Sequence, residues 1–282
     1  SGGLGWNVMN EPFMKAVKKN FDVFKVRGSA GYTGKVSFSP FQAMTMYQYN
    51  NNYEYKNGIG AIPLTIGNID LTWERTMNYN VGLDLSMFDR RLNFTVDAYI
   101  RNTEDLLLDK AKAPSTGVTS ATSNLGELQN KGIEYQLDGY VFRTGDFYWR
   151  LATSGYMNRN KITKIDKALE EINKENQENA DLYLTPLPQY AEGESVTALK
   201  LVRSAGIDPA TGREVYIKRN GEYTFDYDPA DKVLIGDTEP AFSGTFSTNL
   251  YWKGFSVYAL LNFRTAAWVY NTTRATKVEG AD

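Results

Sequence analysis

The 282-residue chain contains neither cysteine nor histidine. That absence removes disulfides, thiol chemistry, zinc sites built on Cys or His ligands, and every catalytic triad that relies on imidazole. No run of about 18 apolar residues occurs, which excludes a transmembrane helix. An excess of charge of one sign is also missing. The 31 basic and 33 acidic side chains leave a net charge of -2, so no basic footprint argues for a nucleic-acid partner. Gly58-Ile59-Gly60 opens no strand–turn–helix unit and is no phosphate loop, so no cofactor is expected. Ser1 begins no signal-peptide pattern, and both ends read as interior to a longer chain.

What is present is aromatic and periodic. Aromatic residues make up 13 % of the chain. Segments 24–33, 71–88, 92–103, 132–142, 147–158, 242–252 and 255–264 alternate apolar and polar side chains. Successive side chains of a strand point to opposite faces, so each segment has one greasy and one wet face. In 71–88, for example, Leu71, Trp73, Met77, Tyr79, Val81, Leu83 and Leu85 oppose Thr72, Glu74, Asn78, Asn80 and Asp84. The mean hydropathy of -0.45 resembles that of a water-soluble protein. A strand-built membrane wall has the same average, because only every second residue meets lipid.

The connections alternate in length. Residues 89–91, 144–146 and 253–254 are tight turns of turn-type residues, whereas 34–70, 104–131 and 159–241 are long. In an up-and-down barrel this puts every short turn at one mouth and every long loop at the other, the external one. Pro40, Pro63, Pro114, Pro186, Pro188, Pro209 and Pro229 are expected outside the strand cores. Residues 165–182 and 11–20 each read as a short helix, the second carrying Phe13, Met14 and Val17.

A soluble β-sandwich also has one apolar and one polar face. Three features favour a membrane wall. The segments reach about 9–11 residues, the membrane-crossing length, rather than the soluble mode of about 5–6. Aromatics stand near the ends of the apolar rows, at Tyr32, Tyr79, Tyr135, Phe147, Trp149, Trp252 and Phe255, as interfacial girdles do. Charges avoid the middle of those rows: Arg75 and Arg143 share the apolar phase, but each lies at a strand end. The fold expected is therefore all-β, a partial antiparallel up-and-down transmembrane β-barrel. Its opposite face, carrying Glu74, Asp84, Asp97, Arg101, Glu134, Asp138, Arg150 and Arg264, would line a wet lumen. A seven-stranded open sheet leaves two unpaired edges in lipid, so further strands are expected before Ser1 and after Asp282.

Candidate chemistry is sparse. Asp84, Asp97 and Asp138 read as lumen lining or contacts of a plug rather than as a glycosidase pair. Asp226 to Asp231 has the acid spacing of a calcium loop but lacks the glycine and final glutamate of one, so no metal is expected. Tyr47, Tyr49, Tyr53 and Tyr55, interleaved with Asn50, Asn51 and Asn52, suit sugar rings or peptides and form the candidate contact for substrate or a lipoprotein.

Four words carry a family resemblance. Phe24-Lys25-Val26-Arg27-Gly28-Ser29-Ala30-Gly31-Tyr32-Thr33-Gly34 looks like a strand entering a long external loop. Ile66-Gly67-Asn68-Ile69-Asp70-Leu71-Thr72-Trp73-Glu74 is similar to a GNPDLKWE word. Ser115-Thr116-Gly117, Asn124-Leu125-Gly126 and Asn130-Lys131-Gly132-Ile133-Glu134 match an STG…NxG…NKGIE series. Ala205-Gly206-Ile207-Asp208-Pro209-Ala210-Thr211-Gly212 with Tyr216 resembles a GIDPxTGxxxY loop. In this order they resemble the SusC/RagA type of TonB-dependent outer-membrane transporter of Bacteroidetes. The resemblance implies a barrel of about 22 strands, an N-terminal plug and a TonB box. It also implies a SusD-like surface lipoprotein and TonB-driven import of an oligosaccharide or peptide across the bacterial outer membrane, without enzymatic activity. The plug, TonB box and final strands have no counterpart here, so no energy-coupling residue carries over. The rival expectation is a soluble β-rich surface adhesin or carbohydrate-binding module.

Overall fold

The computed structural model describes residues 1–16, 18–35, 44–55, 58–111, 117–118, 120–124, 126–179 and 186–273, with the side chains of 50–55, 108–111, 120 and 168 excepted. Along the chain, β1 (Gly2–Asn7) leads through two 3-10 turns (Val8–Asn10 and Pro12–Ala16) into β2 (Phe21–Lys35). A hairpin of β3 (Met46–Tyr55) and β4 (Gly58–Thr65) precedes the long strands β5 (Glu74–Met87) and β6 (Leu92–Glu104). A second hairpin, β7 (Leu107–Ala111) and β8 (Ser120–Asn124), precedes β9 (Glu127–Arg143) and β10 (Phe147–Lys164). The helix α1 (Lys167–Glu178) follows. Then come β11 (Ala198–Leu201), β12 (Arg203–Ile207), β13 (Glu214–Ile217), β14 (Tyr223–Thr224) and β15 (Val233–Asp237), before β16 (Phe242–Trp252) and β17 (Phe255–Thr265).

Eight of these strands form one antiparallel sheet in the order β1-β2-β5-β6-β9-β10-β16-β17. The segments of alternating sequence supply seven of them. The eighth, β1, is absent from the sequence reading because Gly2, Gly3 and Gly5 leave only Leu4 and Trp6 to show a pattern. The count of seven is thus corrected to eight. The sheet is still open, because among the described residues β1 and β17 do not pair.

Four connections lie at one end: 8–20, 88–91, 144–146 and 253–254. Backbone bonds join 88–91 to 8–20 (Phe88 N–H to Asn20 O, 3.1 Å) and 253–254 to 144–146 (Lys253 N–H to Asp146 O, 2.9 Å), and Arg91 O accepts from Tyr140 N–H of β9 (2.8 Å). Lys253 and Gly254, with φ of 45° and 94°, make the tight left-handed turn that suits the twist of a hairpin. The three long connections leave from the other end and hold the small hairpins, α1 and β11 to β15. Pro63 falls inside β4, against expectation. Its sheet has only two strands, so each keeps an open side where a missing N–H costs nothing. Pro40, Pro114, Val17 and Leu182 lie outside the described residues. The helix expected over 11–20 is the second 3-10 turn followed by a turn, whereas α1 is capped by Asp166, whose carboxylate accepts from Leu169 N–H.

Cross-strand register collects the apolar side chains into rows. One row runs Phe24, Leu85, Phe94, Leu137, Thr153, Phe246, Leu261 across seven strands. A neighbouring row begins Leu4, Gly28, Val81, Ala98, Ile133, Met157. Many of these side chains are exposed, Val81 to 62 % and Leu261 to 61 %. Among the described residues only Val8, Met9, Met14, Tyr99, Ile162 and Leu169 are buried hydrophobics. A water-soluble chain of this length would bury a large core.

A β-bulge corrects one assignment. Trp149 pairs with Phe142 but Arg150 pairs with Tyr140, so Val141 is the extra residue. The strand's phase changes there. Arg143 therefore leaves the apolar face and sits on the polar one opposite Tyr148, with its guanidinium 5.0 Å from the centre of the Tyr140 ring. Arg75 keeps the apolar phase at a strand end and pairs with Asp105 (3.0 Å) and Glu104 (3.5 Å).

Candidate functional site

The polar face of the large sheet holds most of the residues singled out from sequence, as separate groups rather than one cluster. Asp84 and Asp97 are joined by Arg27, which donates to both oxygens of Asp84 (2.8 and 3.0 Å) and to Asp97 Oδ2 (2.9 Å). Arg27, Gly82 and Asp97 occupy one row on three successive strands. A side chain at Gly82 would collide with the Asp97 carboxylate and the Arg27 guanidinium. The glycine is what lets strands two apart make an ion pair. The guanidinium holds both carboxylates, with one negative charge left in excess, and the three form a structural clamp across the strands.

The same arrangement recurs one row away. Tyr99, Gly132 and Asn158 are aligned, the Tyr99 ring lies over Gly132, and its hydroxyl donates to Asn158 Oδ1 (3.1 Å). Arg101 stacks on Tyr99, 4.4 Å from the ring centre. Asp138 accepts two bonds from Arg150, the shorter 2.9 Å, further toward the short turns. Among the described residues Glu134 has no such clamp. It lines a cavity of about 1000 Å³ with Tyr99, Tyr156, Asn158, Glu239 and Arg264.

Glu239 belongs to the end of the longest connection, where no periodic signal marks it. Its carboxylate accepts from Asn158 Nδ2 (2.7 Å) and Asn160 Nδ2 (2.6 Å). Asn160 Oδ1 in turn accepts from Val196 N–H (2.7 Å) and the Ser195 hydroxyl (2.9 Å). The middle and the end of the 165–241 connection are thereby tied to β10. Asp237 completes the tie by accepting from the Thr197 hydroxyl (2.6 Å) and the Glu239 N–H (2.8 Å). Burial pushes the Asp237 carboxyl up, but these bonds together outweigh it and hold the group below its ordinary range.

Tyr47 and Tyr49 lie two residues apart on β3, exposed to 65 % and 76 %. The side chains of Tyr53 and Tyr55 lie outside the described residues, and the hairpin register breaks between Asn50 and Glu54. The acids of 226–231 serve local structure: Asp228 caps a 3-10 turn, Asp231 accepts from Arg219 N–H (2.9 Å), and Asp226 pairs with Arg213 (3.5 Å). Among the described residues no group of acids is placed to hold a metal ion. Arg27, Tyr99, Asn158 and Asn160 were not singled out by sequence. The polar phase of Arg27, Tyr99 and Asn158 was legible, whereas Asn160 falls in the extension of β10 beyond the segment read as a strand, and the register that joins them was not legible.

An antiparallel sheet with one greasy exposed face and one clamped, charged face is the wall of a membrane-spanning β-barrel. The comparisons agree. The family model described as TonB dependent receptor-like, beta-barrel matches residues 1–274, and the chain belongs to that family. It is 29% identical over 285 residues to TonB-dependent receptor SusC of Bacteroides thetaiotaomicron, covering 92% of this chain and 27% of that protein. It is 28% identical over 284 residues to TonB-dependent receptor P3 of Formosa agariphila, covering 91% of this chain and 27% of that protein. A solved structure of the RagAB peptide transporter superposes with a TM-score of 0.79 at 25% identity, covering 96% of this chain and 30% of that one. The chain therefore spans less than a third of the length of these relatives.

Proposed function

We propose that this chain is part of the barrel wall of a receptor that imports a nutrient, an oligosaccharide or a peptide, across the bacterial outer membrane under TonB drive. The carrying observation is the exposed apolar face on a sheet with almost no buried core among its described residues. Such a face is stable only against hydrocarbon. The short turns then lie at the periplasmic mouth and the long connections outside. The wall itself does no covalent chemistry. Its clamped charges present a fixed polar lining, from Asp84 to Arg150, against which a plug or substrate docks. Kinship to SusC and to the RagAB peptide transporter supports a SusD-like lipoprotein as partner. Tyr47 and Tyr49, with Tyr53 and Tyr55, are the proposed contact for substrate or that lipoprotein.

The test uses the full-length receptor in its own cells. Uptake should require TonB, the protein should fractionate with the outer membrane, and alanine at the four tyrosines should reduce uptake or lipoprotein association. Monodisperse protein in detergent-free buffer would overturn the membrane reading. Unchanged uptake and lipoprotein capture by the tyrosine variant would remove the contact assignment alone.

A further inference from the structure

The short-turn end carries a charge pattern that neither the fold nor import explains. Residues 8–22 and the three short turns with their flanking residues hold Lys15, Lys18, Lys19, Arg90, Arg91, Arg143 and Lys253 against Glu11, Asp22, Asp89 and Asp146. This rim is net positive in a chain whose net charge is -2. All seven cations are exposed, and among the described residues none of them forms an ion pair. Two of the rim acids are already engaged: Glu11 accepts from the Trp6 indole N–H (2.9 Å) and Asp22 from Arg90 N–H (2.9 Å). Backbone bonds join these turns in two pairs, 8–20 with 88–91 and 144–146 with 253–254.

Exposed aromatics stand in these same turns and at the adjoining strand ends. Trp6, Phe13, Phe88, Phe142, Trp252 and Phe255 are all exposed, and the Trp6 and Phe13 rings meet edge to face at 6.5 Å. Cations outside, aromatics at the boundary and aliphatic rows beyond repeat the layers of a phospholipid leaflet: phosphate, interface, acyl chain. We propose that this rim is a docking surface for anionic glycerophospholipid headgroups in the leaflet at the short-turn mouth. Lys15, Lys18, Lys19 and Arg90 supply the charge and the aromatic belt sets the depth. The proposal rests on the membrane reading above and adds which lipid chemistry the wall selects, and at which end.

Full-length receptor would be equilibrated in micelles doped with equal amounts of phosphatidylglycerol and phosphatidylcholine, and the retained lipid counted by native mass spectrometry. The expected result is several-fold enrichment of phosphatidylglycerol, falling as salt rises from about 0.05 to 0.5 M because exposed charges are screened. The variant Lys15→Gln, Lys18→Gln, Lys19→Gln, Arg90→Gln should lose the enrichment. The variant Lys35→Gln, Lys131→Gln, Lys161→Gln, at the opposite end, should keep it. Equal retention of both lipids by the wild type, enrichment that survives the rim variant, or preference for added lipid A over phosphatidylglycerol would overturn the proposal. Gel mobility before and after heating shows separately whether each variant is a folded barrel. A receptor that needs no detergent defeats the membrane reading itself.

Discussion

Arg27 reaches Asp97 over an intervening strand, and Gly82 is the residue that leaves the gap. Direct partners in a sheet are on adjacent strands, so contact between strands two apart needs a missing side chain between them. Tyr99 and Asn158 meet over Gly132 in the same way. Both contacts stiffen the wall across its strands.

Gly82→Val should separate Arg27 from Asp97 and cost about 1–3 kcal/mol through overpacking and a broken clamp. Arg27→Met should cost less, about 1 kcal/mol, because the pair is near a third exposed and partly screened. The check is the temperature at which full-length receptor loses its heat-modifiable gel mobility. A valine as stable as the wild type would show that the clamp contributes nothing.

Val81 stands in the middle of the apolar face, between Gly28 and Ala98. Val81→Lys should cost about 2–4 kcal/mol and impair assembly, as charges at the bilayer midplane do. Asn80→Lys, one residue earlier and facing the lumen, should assemble. The comparison is made by outer-membrane yield, and equal yields would mean the two faces do not differ in solvent.

Deleting Val141 removes the bulge and leaves Tyr140, Phe142 and Arg143 in plain alternation, so Phe142 keeps the apolar face and Arg143 the polar one. The barrel should assemble, with thermal stability changed by less than about 1 kcal/mol. A failure to assemble would show that the bulge itself is needed.

Glu239→Ala removes the charged acceptor of the Asn158 and Asn160 amides and leaves them only the longer bonds to Asn130 (3.2 Å) and Thr197 (3.3 Å), at a cost of about 1–3 kcal/mol. The result should be faster proteolysis within the 165–241 connection while the barrel stays intact. Protection equal to the wild type would place the anchor elsewhere.

The Asp237 tie should weaken in acid. Its folded pKa is depressed below the unfolded value of about 3.9. The stability it gives is therefore fully present above that value and is lost as pH falls through the folded pKa. Hydrogen exchange of residues 195–199 should rise as pH drops below about 4, after correction for intrinsic rates. Asp237→Asn should show no such rise.

The sequence by itself determined seven long strands, the two faces, and the sorting of short turns from long connections. Those follow from period two and turn chemistry, which are local. It missed β1, where glycines carry no pattern, and it misassigned Arg143, because one inserted residue at Val141 inverts every side chain after it. Which polar residues touch was decided only by tertiary structure. Register alone aligned Arg27 with Gly82 and Asp97, and only the folded connection carried Glu239 back to β10. Periodicity tells which face a side chain takes, whereas contact depends on pairing between strands far apart in the chain.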